Sequence, residues 1–86
     1  MATLTLHEAA RVAQGVPRTV SNRESHQMPD VYRVQKELQK QALLWDKTKG
    51  KIGLQTVVEG KKRRKVHKHV LLQWMKARDA RYGVRR

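Results

Sequence analysis

Apolar positions return at helical spacing in several separate stretches of this chain. Leu6, Ala9, Ala10 and Ala13 recur every three or four residues, which predicts a helix with one buried face running to about residue 14. Thr5-Leu6-His7-Glu8 reads as a capping box at its start, with Leu4 and Ala9 placed as a hydrophobic staple. Gly15 suits the residue just past the helix, and Pro17 blocks simple continuation. Pro17 then opens a second helix, 17–26, whose only sizeable apolar residue is Val20. The strongest helical stripe is Val31, Val34, Leu38, Ala42 and Trp45, predicting a helix over 30–45.

Beyond the turn 46–50 the pattern changes period. Residues 52–58 alternate partly and are rich in β-branched side chains, which predicts a strand. Glu59-Gly60 begins a hairpin tip that reaches Arg64, and 65–67 is the short return strand. A last helix over 68–82 presents Val70, Leu71, Trp74, Met75 and Arg78 on one face, with Gly83 as its stop. The expectation is a mainly α domain with a small β-hairpin, one domain over 1–86 with 83–86 as a basic tail. A chain of 86 residues is too short for two cores.

Composition sharpens this picture through charge. The net charge is +13, and it is unevenly spread. Residues 1–59 hold nine Lys/Arg against six Asp/Glu, a net of +3, while 60–86 hold eleven against one, a net of +10. Self-repulsion on that scale destabilises a compact state unless a polyanion screens it. Five consecutive cations, Lys61 to Lys65, run through the predicted tip into the first residue of the return strand. They cannot pack inward, because each unpaired buried charge would cost several kcal/mol. A two-stranded ribbon with such a tip suits a nucleic-acid backbone.

The second predicted helix is too polar to be a core element. Arg18, Thr19, Ser21, Asn22 and Arg23 are residue types that contact base edges and phosphates, and they follow a Gly-Val-Pro joint of the kind found between paired helices. The candidate contacts are therefore these five together with Lys61, Lys62, Arg63, Arg64, Lys65 and Lys68. Arg78, Arg81, Arg85 and Arg86 extend the positive surface.

Other chemistry is sparsely represented. No Cys is present to form disulfides or thiolate metal sites. His67-x-His69 is a weak metal signal among cationic neighbours, so no metal and no cofactor is expected. The acidic residues are scattered, and no acid/base pair, nucleophile constellation or phosphate-cradling loop is visible, which argues for a non-enzymatic protein. Trp45 and Trp74 fall on apolar stripes, so they are expected in the core rather than stacked on bases. No apolar run approaches the ~18 residues of a membrane span. The opening residues lack the basic and apolar regions of a signal peptide. A soluble intracellular protein is the expectation.

The order helix, turn, polar helix, ribbon, helix is that of a winged helix. Residues 4–13 followed by Gly15-Val16-Pro17-Arg18-Thr19-Val20, together with 66–78, resemble the small winged helix-turn-helix proteins of the excisionase and MerR-like group. The matching segments cover roughly 30 residues, and the helix 30–45 has no counterpart in the family pattern. The resemblance implies a double-stranded DNA-binding excisionase of a phage or mobile element. Such a protein bends attachment-site DNA, acts with an integrase or recombinase, and in some members regulates transcription. Its second helix would read sequence in the major groove.

Two other readings explain part of the same pattern. A structural RNA-binding protein, such as a small ribosomal component, accounts for the charge but gives the capped helix pair no purpose. An adaptor would dock a partner on helix 30–45 and use its basic tail as a tether. That helix's apolar stripe is either core or a surface for self-association or integrase contact.

Overall fold

Thr5 ends a short extended segment and starts a helix in the same stroke. The computed structural model describes residues 2–82, in the order β1 (Thr3–Thr5), α1 (Leu6–Ala13), α2 (Asn22–His26), α3 (Pro29–Lys47), β2 (Lys65–His67) and α4 (Lys68–Tyr82). The expected stop at Gly83 and the tail 83–86 lie outside the described residues, as does the side chain of Arg81.

The capping box forms as the sequence predicts. Thr5 Oγ1 accepts from the Glu8 backbone N–H at 3.2 Å, and Glu8 Oε1 accepts from the Thr5 N–H at 3.3 Å. At the other end of α1, the Gly15 N–H reaches the Val12 carbonyl and the Val16 N–H reaches the Arg11 carbonyl. This is the paired closure of a helix whose next residue turns left-handed, and Gly15 supplies the required φ of 67°. Leu4, which the sequence places as a staple, lies in β1 opposite Val66 and packs against the core.

The second helix begins later than the sequence reading predicts. Residues 17–20 form a turn closed by the Val20 N–H on the Pro17 carbonyl, and α2 starts only at Asn22. Ser21 is the reason. Its side chain accepts from the Glu24 N–H at 3.1 Å, satisfying a donor that would be orphaned at any helix start. Arg11 from α1 reinforces the turn by donating to the Val20 carbonyl and to Asn22 Oδ1.

Helix α3 starts at Pro29, where a missing N–H costs nothing, and runs 19 residues. Val31, Val34, Leu38 and Ala42 are buried as the stripe predicts, while Trp45 is half-buried. Helices α1 and α3 form the main packing contact, made close by Ala9, Ala10 and Ala13. Leu71 of α4 and Val66 of β2 complete the core, with Trp74, Val70 and Met75 packed at its edge.

The strand predicted over 52–58 is the main correction. Strand β2 pairs antiparallel with β1, Thr3 opposite His67 and Thr5 opposite Lys65. The 52–58 segment contributes a single bridge, Val57 to Lys65, with N–H···O distances of 2.8 and 2.9 Å in the two directions. In that register residues 56 and 55 would face 66 and 67, whereas 54–52 would face 68–70, which are already helical, so a regular strand over the whole predicted length has no partner. Leu54 instead drops into the core at 1% exposure, and its N–H bonds to the Gln41 carbonyl at 3.0 Å. The result is a mainly helical domain with a two-stranded antiparallel sheet, a layout compatible with helix-turn-helix plus wing.

Candidate nucleic-acid interface

The Val57–Lys65 bridge closes a loop of basic residues. Within it the Lys62 N–H turns back to the Glu59 carbonyl at 3.0 Å, and Gly60 takes a φ of 59°. Lys61, Lys62 and Arg63 are exposed at this tip and pair with no carboxylate among the described residues. Lys68 is exposed at the first turn of α4, and Lys65 is half-buried in the ladder between β1 and Val57.

Arg64 behaves differently from its neighbours. Its guanidinium donates to Thr56 Oγ1 at 2.6 Å and meets Asp46 Oδ2 at 3.0 Å, so it ties the hairpin to the end of α3. Nothing in a run of five cations distinguishes the fourth. Only the fold brings Asp46 and Thr56 to it.

The turn and α2 carry the other candidates. Arg18, Thr19 and Arg23 are exposed, and Arg23 forms no ion pair among the described residues. Ser21 is engaged as the helix cap. The Asn22 side chain presents its carbonyl oxygen to Arg11, which leaves its amide N–H groups as the available donors.

The inner side of α2 holds a polar network that sequence reasoning does not single out. Ser25 is fully buried and donates to the Asn22 carbonyl at 2.9 Å. Its oxygen lies 2.9 Å from His7 Nε2, and His7 Nδ1 lies 3.0 Å from Gln35 Oε1. A hydroxyl has one proton to give, so when Ser25 donates to Asn22 it is His7 that donates to Ser25. The His26 ring stacks on His7 with centroids 3.8 Å apart and planes 6° from parallel. A helix of five residues has little stability alone, and these contacts fix it against α1 and α3. The sequence signal was available: Ser21 and Glu24 repeat the Thr5 and Glu8 spacing.

These elements open onto two grooves. His7, His26, Gln35, Gln39, Arg63 and Arg64 line one of about 310 Å³, so the hairpin base and the C-terminal end of α2 face the same space. Arg18 and Asn22 line a second groove of about 360 Å³ with Glu8, Arg11 and Val12. The structure thus joins the hairpin to α2 at His26, and sets Arg18 and Asn22 on a neighbouring groove.

The His67 and His69 rings lie 5.7 Å apart at 27°. No group of three His, Cys, Asp or Glu side chains converges as a metal cluster among the described residues. No helix there is long and apolar enough to cross a membrane. Comparison of the chain with protein-family models, with curated proteins and with solved structures found no match in any of the three.

Proposed function

We propose that the chain is a winged helix-turn-helix protein that binds double-stranded DNA without catalysing a reaction. One relationship supports this above others: Arg63 of the hairpin and His26 of α2 line the same groove, beside an exposed tip whose cations have no carboxylate partner among the described residues. Lys61, Lys62 and Arg63 lie along phosphates and supply affinity that any duplex can satisfy. Arg23, Arg18, Thr19 and the amide of Asn22 carry the donors suited to base edges, and Lys68 adds a flanking backbone contact. With α2 only five residues long, its exposed side chains and the preceding turn enter a groove together.

The excisionase role follows from the sequence resemblance alone. It adds an integrase or recombinase partner, bending of the bound site, and self-association along it.

Fluorescence anisotropy on a labelled duplex, competed with structured RNA of equal length, tests the partner. Preferential displacement by duplex DNA supports the proposal, and preferential displacement by RNA overturns it in favour of a structural RNA-binding protein. Footprinting on DNA flanking the source gene tests the excisionase role, which calls for spaced protection with hypersensitive positions. Uniform, unspaced protection would remove that role while leaving DNA binding intact.

A further inference from the structure

The outer face of α3 carries a second set of cations that the hairpin interface does not use. Arg33, Lys36, Lys40 and Lys47 are all exposed, at intervals of three, four and seven residues. At about 100° per residue they form one stripe, centred about 180° from the core stripe of Val31, Val34, Leu38 and Ala42. The stripe is about 21 Å long at about 1.5 Å per residue.

The acidic residues of α3 flank this face, Glu37 about 70° and Asp30 about 90° from its centre. Asp30 lies in the first turn of α3. Glu37 accepts from Gln41 Nε2 at 3.2 Å, and Asp46 is held by Arg64. None of the four cations pairs with a carboxylate among the described residues, and Lys36 sits 4.8 Å above the Tyr32 ring. Like charges three and four residues apart destabilise a helix by about 0.2–0.5 kcal/mol per pair. Arg33–Lys36 and Lys36–Lys40 are such pairs, and Glu37, four residues after Arg33 and three before Lys40, accepts from Gln41 and forms no ion pair with either cation.

The stripe also looks away from the hairpin side. Gln35 and Gln39, which line the groove beside Arg63 and His26, lie about 110° around α3 from the stripe's centre. A duplex is stiff: bending 20–30 base pairs by 40–90° costs about 1–6 kcal/mol. Turning the corner of one helix within a few base pairs would cost more. A straight duplex seated on the hairpin side therefore does not reach the stripe.

We infer that this stripe binds the phosphate backbone of a second duplex segment, so that one chain bridges two stretches of DNA. The inference rests on duplex DNA being the ligand of the hairpin face. The occupant is set by charge and shape: a straight row of cations with no ion-paired carboxylate among the described residues matches the side of a uniformly charged rod, which presents one phosphate per about 1.7 Å of axis.

The test uses two short duplexes, one carrying a donor dye and the other an acceptor, with the full chain added at equimolar concentration. The parent protein is expected to bring the dyes together. The variant R33Q/K36Q/K40Q/K47Q is expected to bind a single duplex as the parent does and to lose the inter-duplex signal. Gln is close to Lys and Arg in helix propensity, so α3 is preserved. The milder K36Q/K40Q variant carries the same test should the fourfold change fail to fold, with inter-duplex affinity expected to fall about tenfold or more. A parent that binds one duplex without joining two overturns the inference and leaves the proposed function standing. So does a variant that still joins them, or one that loses single-duplex binding altogether. A parent that binds no duplex overturns both.

Discussion

Arg64 meets Asp46 at 3.0 Å across the gap between the hairpin and the end of α3, and its other terminal nitrogen holds Thr56. One of the five consecutive cations is thereby a strut rather than a free charge. Its neighbour Arg63 stands exposed with no carboxylate partner among the described residues. The two arginines should therefore separate cleanly by measurement. Arg64→Ala is expected to lower stability by about 1 kcal/mol, the sum of a partly exposed ion pair and one hydrogen bond. Arg63→Ala is expected to stay within about 0.5 kcal/mol of the parent in urea unfolding. Equal stability of the two variants would remove the strut.

The hairpin is also anchored through its backbone, at Gly53. This residue has a φ of 104°, and a Cβ built there would collide with the Gln41 carbonyl oxygen and lie 2.7 Å from the Trp45 nitrogen. Both obstacles are backbone of α3 and cannot swing aside. Gly53→Ala is expected to cost about 2–4 kcal/mol, combining conformational strain with overpacking. Gly15 also has a positive φ, but open space surrounds its Cβ position. Gly15→Ala should then cost only about 1 kcal/mol. Thermal melts of the pair decide the matter, and equal losses would mean that Gly53 does not approach α3 this closely.

Leu54 and Ile52 look interchangeable in sequence, two aliphatic residues in a β-rich stretch. Leu54 is 1% exposed and Ile52 is 55% exposed. Leu54→Ala is expected to cost about 2–5 kcal/mol, and Ile52→Ala no more than about 0.5 kcal/mol. A larger loss at Ile52 would restore the regular strand that the alternation predicts.

That pair shows where the sequence was readable and where it was not. Helix α1 was legible almost to the atom, because its cap, buried stripe and glycine stop are local patterns that the local backbone obeys. The apolar stripe of α3 was legible for the same reason. The strand over 52–58 was not, because strand pairing depends on a partner, and in the register of the Val57–Lys65 bridge residues 52–54 would face 70–68, which are helical. The start of α2 was misplaced because Pro17 and Ser21 both favour a helix start, and Arg11, eleven residues before Asn22, strengthens the later one. The basic tip was legible as a charge run, whereas the separate task of Arg64 required knowing that Asp46 lies beside it.

The tip's three free cations give the proposed DNA contact a quantitative signature. Each phosphate neutralised by a protein cation releases counterions, so the logarithm of affinity falls with the logarithm of salt at about 0.9 per contact. If Lys61, Lys62 and Arg63 each hold a phosphate, K61A/K62A/R63A should reduce that slope by about 2.7. The loss should be the same for every duplex sequence, because phosphate contacts carry no base information. Arg23→Ala should behave in the opposite way, narrowing the gap between preferred and random duplexes by about 1–3 kcal/mol while changing the slope by no more than about 1. Titrations between 50 and 200 mM salt on two duplexes separate these outcomes. An unchanged slope in the triple variant would mean that the tip does not touch DNA, whatever its charge.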